Sequence, residues 1–447
     1  MKIAFIPIDN RPVCYTLPQI ICGIDESMEF FIPPRELLGD LTKIAKIEEL
    51  YTWLKNLPEP DSIVMSLDTL TYGGLIPSRR CPETLEQLQE RISRLKSIIK
   101  SKNAKIYAVS SIMRISNNNF NEEEKPYWAE YGKKIFEYSY NIDKYGKPET
   151  DVPANILKDY LETRKRNFEI NKIFLEWQKE GLFETLVFSK DDCAEFGLNV
   201  QEALKLEQLG GFVKTGADEI PLSLLSASIS LNLKICPIFL EPKYKNLVSN
   251  YEDISVEKSV KSQIELAGCE VTDENDADIL LYVNNFRMHQ GEIVMKQDTE
   301  MFNGVFKTLQ KPYMIADVRF ANGADNNFVK ELFKNKLEDN YFYGYSAWNT
   351  TANTLGSLIC GAKYKFYARS TNSYSKTAFN KLQITRFLDD WAYQSNVRQK
   401  LKEPNLFMLR LNMQEYEKAV SEILGTKVNV KYSYPWNRLF EVEIGLN

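Results

Sequence analysis

Nine short runs of aliphatic, β-branched and aromatic residues recur along this chain, each closing on or just before a polar residue that leads into a loop or helix. They are KIAFIPI before Asp9, SIVMSL before Asp68, KIYAVSSIM before Arg114 and TLVFSK before Asp191. GFVKTG follows shortly before Asp218, then KICPIFL before Glu241, DILLYV before Asn284, YMIA before Asp317 and YFYGYSAW before Asn349. Short apolar runs bounded by turn residues read as buried strands, and a tenth at Glu29 to Pro34 reads as a short extra one. Helical spacing fills the gaps, as in Leu85, Leu88, Ile92, Leu95 and Ile99 after Pro82. A long amphipathic stretch runs from about 151 to 182, and Asn199 with Glu202 has the spacing of a capping box.

Strands alternating with helices imply a mostly parallel sheet. The expected fold is an α/β (β/α)8-type barrel, regular or irregular, over residues 1–360. The alternative is two doubly wound α/β domains. Past Gly361 the rhythm changes, so residues 361–447 are expected to form a C-terminal α+β extension. Its helical segments near 374–400 and 413–424 precede a hairpin through Tyr434-Pro435-Trp436-Asn437.

Composition narrows the chemistry. Of 447 residues only His289 is a histidine, which removes every multi-histidine zinc site. A lone loop histidine is more often an ordinary exposed side chain than a general base. The 56 basic and 61 acidic residues give a net charge of −5 without a basic block, so no nucleic-acid partner is expected. Seven cysteines without a C-x-x-C pair read as free thiols in a reducing compartment. The opening MKIAFIPIDNRP lacks a signal-peptide apolar region, and the apolar stretch from Leu222 to Leu240 is too polar to span a bilayer. A cytoplasmic protein with no membrane partner is the expectation.

In parallel α/β folds ligands gather beyond the carboxyl ends of the strands. Asp9, Asn10, Arg11, Asp68, Tyr72, Arg79, Arg114, Asp218, Glu219, Asn284, Asn285, Asp317, Asn322, Asp325, Trp348 and Asn349 lie there or in the loops that follow. Any one of the acids or amides has an ordinary reading as a turn former or helix cap. Together they suggest a polar mouth, where Trp348 is either a sugar platform or core. Gly73-Gly74 permits close backbone approach to a ligand, but no Gly-Lys-Ser/Thr ending follows, as a phosphate loop needs. Arg79 and Arg80 suit an anion grip or surface pairing. The run Glu122–Glu124 reads as a solvated loop. Asp191-Asp192 is the sharpest feature: adjacent carboxyls repel, so one tends to keep its proton, as glycoside cleavage requires.

PIDNRPVCY, SLDTLTYGGLIPSRR, the acid pair of SKDDCAEFG, GADE, IADVRFANGAD, SAWNTTANTLG and PWNRLFE span residues 7 to 441. On these segments the chain resembles an uncharacterised bacterial domain-of-unknown-function family, number 4127. It departs from the pattern in Asn10, where a second Asp is expected, and in Cys193 after the acid pair. The acid pair also resembles that of substrate-assisted N-acetylhexosaminidases, barrels with an Asp-Asp step after the fourth strand. That likeness implies that Asp191 orients a substrate acetamido group and Asp192 protonates the leaving oxygen.

The functional expectation is a glycoside hydrolase-like enzyme on a small-molecule carbohydrate conjugate, without a cofactor or metal. Asp191 and Asp192 are its catalytic pair, and the strand-end residues bind substrate. One rival is an oxygen-ligated Mg or Mn enzyme, a phosphoester hydrolase or sugar isomerase built on the same acids. The other is a non-catalytic sugar- or metabolite-binding protein.

Overall fold

A computed structural model describes residues 1–147, 149–191 and 193–446, so Asp192 lies outside the described residues. The chain divides into two compact units, one of Met1–Asn10 with Glu29–Leu224, the other of Arg11–Met28 with Leu225–Asn447.

The first unit holds six strands: β1 (Lys2–Ile6), β2 (Glu29–Phe31), β3 (Ser62–Ser66), β4 (Lys105–Ile112), β5 (Thr185–Lys190) and β6 (Phe212–Thr215). All pair in parallel, in the order β2-β1-β3-β4-β5-β6. Strands such as β3, buried at every residue, read as unbroken apolar runs because helices cover both faces of a parallel sheet. The helix Leu85–Lys100 turns Leu88, Ile92, Leu95 and Ile99 inward. Its start is set by a capping box between Thr84 and Gln87 rather than by Pro82. The box expected at Asn199 does not form. That helix begins at Leu198 behind Gly197, and Glu202 is drawn instead to Arg164 at 2.6 Å.

The second unit contains β7 (Leu233–Phe239), β8 (Cys269–Val271), β9 (Ile279–Asn284), β10 (Gly291–Glu292), β11 (Tyr313–Asp317), β12 (Phe320–Ala321), β13 (Phe342–Ser346), β14 (Val430–Ser433) and β15 (Glu443–Leu446). Its main sheet is parallel in the order β13-β11-β9-β7-β8, with β10-β12 and β14-β15 as separate pairs. The last pair is the antiparallel hairpin expected from the sequence. The helix Thr351–Ser370 lays Leu355, Leu358, Ile359 and Ala362 against a core that includes Leu281, Val283, Met314 and Ala316.

The strands thus form two parallel sheets rather than one closed eight-stranded ladder. The change expected at residue 361 falls inside the helix Thr351–Ser370. Gly361 mimics a break but serves packing: a Cβ there would lie 2.8 Å from Leu382 Cδ2. Overfilling such a contact costs about 1–3 kcal/mol, so Gly361→Val is expected to shift the urea midpoint down, with an unchanged transition arguing that the helices are not pressed together. Among the described residues no helix is long and apolar enough to cross a membrane.

In each sheet the first five strands run in the order second-first-third-fourth-fifth. In doubly wound sheets of this order the ligand crevice opens where the winding reverses, at the carboxyl ends of the first and third strands. Those pairs are β1 with β3 and β7 with β9.

Candidate functional site

At the first switch point Ser66 caps the helix Leu67–Tyr72, its side chain accepting from the Thr69 amide. Thr69 Oγ1 donates to the Pro7 and Ile8 carbonyls at 2.7 and 2.8 Å, which ties the loop after β1 to that after β3. Asp68 sits in the first turn, buried. Its Oδ2 accepts from the Ser111 amide at 2.9 Å and hydroxyl at 3.0 Å, and Ser189 Oγ donates to Ser111 Oγ at 3.2 Å. Burial pushes the Asp68 carboxyl up to about 6, against the Ser111 hydrogen bonds and the charge of Arg79. Tyr72 is buried with the Arg166 guanidinium over its ring. Burial, then the Asp68 charge, drives its phenol well above the ordinary value.

Arg79 and Arg114 build the charged part of the site. Arg79 Nη1 lies 3.2 Å from Glu124 Oε1 and 3.6 Å from Glu123 Oε2. Arg114 reaches the same two carboxylates at 3.0 and 2.9 Å. Both guanidiniums then face one atom, Asp191 Oδ2, at 3.9 Å from Arg79 and 3.6 Å from Arg114. These last two contacts are longer than hydrogen bonds, and the Asp191 side chain is 24% exposed. The Glu122–Glu124 run is therefore not simply solvated: Glu124 is buried between two arginines. Among the described residues Arg80 turns to backbone oxygens. It donates to the carbonyls of Leu41, Asn121, Glu122 and Glu124 and so pins the loop that carries the glutamates.

The remaining first-unit candidates have framework roles on view. Asp9 is buried just past β1. Asn10 is held through its backbone, its carbonyl accepting from Arg35 at 2.7 and 3.0 Å. Gly73 and Gly74 have φ of 88° and 140°. Their closest approach is to protein, since a Cβ on Gly39 would lie 2.5 Å from the Gly73 carbonyl oxygen. Glu219 caps its own turn through the Ala217 amide at 3.0 Å, beside the buried Asp218. Asp191 follows the fifth strand in chain order, because Glu29–Phe31 is a strand.

The other candidates belong to the second unit. At its switch point Asn285 bonds the Glu241 amide and carbonyl at 3.0 and 2.9 Å, closing the loops after β7 and β9 on each other. Asn284 Nδ2 donates to Asp317 Oδ1 at 2.8 Å, and Arg319 Nε donates to Asn284 Oδ1 at 3.1 Å. Arg319, which sequence reading passed over, also lies 3.3 Å from Glu241 and 3.5 Å from Asp325. Asp325 caps the helix Asn326–Leu332 and gives its amide to Asp317 at 2.8 Å. Burial, then the Asp325 charge, pushes the Asp317 carboxyl up to about 7. Asn322 and Asn349 both have left-handed backbones, φ 58° and 57°, and meet through the Asn322 amide and the Asn349 carbonyl at 2.8 Å. Asn tolerates that conformation, which accounts for these two amides without a ligand. Trp348 is buried. Arg11 belongs to this unit, 3.3 Å from Glu441 and stacked on Trp436. His289 is exposed in a loop, with Nε2 2.8 Å from the Asp298 carbonyl oxygen.

The residues expected at one mouth are shared between the two units. Asp9, Asn10, Asp68, Tyr72, Arg79, Arg114, Asp191, Asp218 and Glu219 fall in the first unit. Arg11, Asn284, Asn285, Asp317, Asn322, Asp325, Trp348 and Asn349 fall in the second. Among the described residues no group of three or more His, Cys, Asp or Glu side chains is arranged to hold a metal ion.

Fold and site together define a two-sheet parallel α/β protein with an acid- and arginine-rich carboxyl edge on its first sheet. The family model described as a protein of unknown function (DUF4127) matches residues 3–445, and the chain belongs to that family. No curated protein matches the sequence.

Proposed function

We propose that the chain is a glycoside hydrolase-like enzyme acting on a small, uncharged sugar conjugate at the carboxyl edge of the first sheet. The observation that carries this reading is the charge balance around Asp191. Two guanidiniums, Arg79 and Arg114, face three carboxylates, Glu123, Glu124 and Asp191. A phosphate or carboxylate substrate would have to displace these carboxylates to reach the guanidiniums, whereas a sugar needs no counter-charge. The arginines are positioning residues that aim Asp191 at the forming positive charge of an oxocarbenium-like transition state. Asp68, held near 6 in the field of Arg79, is partly protonated close to neutral pH, as an acid–base partner should be. Asp192, next along the chain, is the candidate donor to the leaving oxygen.

A panel of aryl glycosides, N-acetylhexosaminides included, tests this. Release of the aryl group is expected, falling by about 10²–10⁴-fold in Asp191→Asn and in Asp192→Asn. Silence of the folded wild-type protein across the panel, or undiminished release by Asp191→Asn, would overturn the reading.

A further inference from the structure

The second unit carries a cleft that the chemistry above does not use. It lies past the carboxyl end of β13, where Trp348 meets the helix Pro12–Cys22, the end of the helix Lys376–Arg386 and the segment Glu441–Ile444. About 390 Å3 of space, open solvent included, lies between these elements, and the part that admits a water-sized group, about 20 Å3, holds one.

Arg386 lines this cleft with its side chain 5% exposed. Its charge is balanced by Asp389 at 3.7 Å and Asp390 at 3.4 Å. Neither contact is a good hydrogen bond, and Nε and Nη1 find no hydrogen-bond partner among the described residues. Buried N–H groups of a guanidinium left without acceptors cost stability, so a feature that keeps them invites an explanation by a ligand.

The backbone around them is also unusual. Phe387–Val397 is a π-helix of 11 residues. Within it the Asp390 carbonyl accepts from the Ala324 amide and from Ser395 Oγ, each at 3.2 Å. Wide turns of this kind recur at functional sites. Here they bring Asp389 to the cleft while Asp390 accepts from the Ala347 amide at 2.7 Å and anchors the loop bearing Trp348. Burial, then Asp390, pushes the Asp389 carboxyl up to about 7, so it can donate as well as accept near neutral pH.

We propose that this cleft binds a neutral carbohydrate, with one hydroxyl or hydroxymethyl group seated between Arg386 and Asp389. Arg386 supplies the donor that such an oxygen needs, and Asp389 takes its hydrogen. Glu441, buried and 3.3 Å from Arg11, and Glu443, which accepts from Thr16 Oγ1 at 2.7 Å, also line it as acceptors. Leu17 from the helix Pro12–Cys22 offers apolar wall to a C–H face. The excess of carboxylates disfavours an anion, and the apolar wall disfavours a bare metal ion. The site lies wholly in the second unit and does not rest on the acid chemistry of the first.

Titration of the full-length protein with methyl glycosides of the common hexoses, read by calorimetry and by tryptophan fluorescence, tests the assignment. Saturable binding tighter than about 1 mM is expected for at least one. It should weaken at least about tenfold, a loss of about 1.4 kcal/mol, in Arg386→Met and in Asp389→Asn, and stay unchanged in Asp191→Asn. Thr16→Leu, in the lining, narrows the cleft without removing a buried charge and should weaken binding too, which covers the case in which the charge variants fail to fold. The absence of saturation with every glycoside, or binding indifferent to Thr16→Leu and to the folded charge variants, would overturn it. Failure of the Asp191 reading would appear in turnover and leave this binding intact.

Discussion

Arg319→Met is expected to destabilise the second unit by about 3–5 kcal/mol, the cost of breaking a buried ion pair from one side. The wild-type guanidinium is 1% exposed and neutralises Asp325, itself fully buried, at 3.5 Å while bonding Asn284, Glu241 and the Glu300 carbonyl. Met fills the volume but leaves Asp325 and Asp317 side by side without that cation. The double variant Arg319→Met/Asp325→Asn should regain much of the loss, because Asn still caps the helix Asn326–Leu332 and carries no charge. Urea unfolding of the three proteins measures this. A single variant as stable as wild type would mean that the network contributes nothing net.

Thermal stability should rise as pH is lowered from 8 to about 5.5, the reverse of the behaviour of a protein held by exposed ion pairs. Burial lifts Asp68 to about 6 and Glu252 to about 7, and raises the neighbouring acids Asp317 and Asp325, and Asp389 and Asp390. For such groups the folded state holds a proton that the unfolded chain has already released. Their stabilisation is complete below the ordinary carboxyl range and is lost as pH climbs through 6 to 7. Each group contributes about 1 kcal/mol per pH unit inside its window, so a midpoint higher by on the order of 5 °C at pH 5.5 than at pH 8 is expected. Carboxylates lowered by surface pairing, such as Glu48, Glu180 and Glu257, act in the opposite sense only at lower pH and contribute little. A midpoint flat or rising towards pH 8 would mean that the buried carboxyls are ionised in the fold.

The strands were legible because a parallel strand covered on both faces has no polar face to interrupt its apolar run. Cys269–Val271 escaped because three residues, one of them Glu270, carry no such signal. How the strands divide into sheets was not legible. Pairing is decided by partners far apart in sequence, such as β7 with β9 rather than with β6. The same distance hid Glu124, which looks solvated beside its neighbours and is buried only because Arg79, 45 residues earlier, needs its charge. Arg319 and the Asp389-Asp390 step had no turn signal to mark them, and the π-helix that presents the latter has no sequence period to find. Asp68, Arg114 and Asp191 were singled out because polar residues converge at strand ends in this architecture, while Arg79 lies further on, in the helix Leu75–Arg80.

The first unit is interrupted by residues that belong to the second, Arg11–Met28. The chain therefore passes from one unit to the other three times, and no single cut separates them. On the ribosome the helix Pro12–Cys22 emerges early, yet the residues that bury its Leu17 and Ile21 come from a unit that resumes at Leu225. At ordinary synthesis rates that is a wait of about 10–40 s. During it an apolar helix stays unsheltered, so assembly of the second unit has to be the late event in the birth of this protein, and a nascent chain halted midway should be one that chaperones hold.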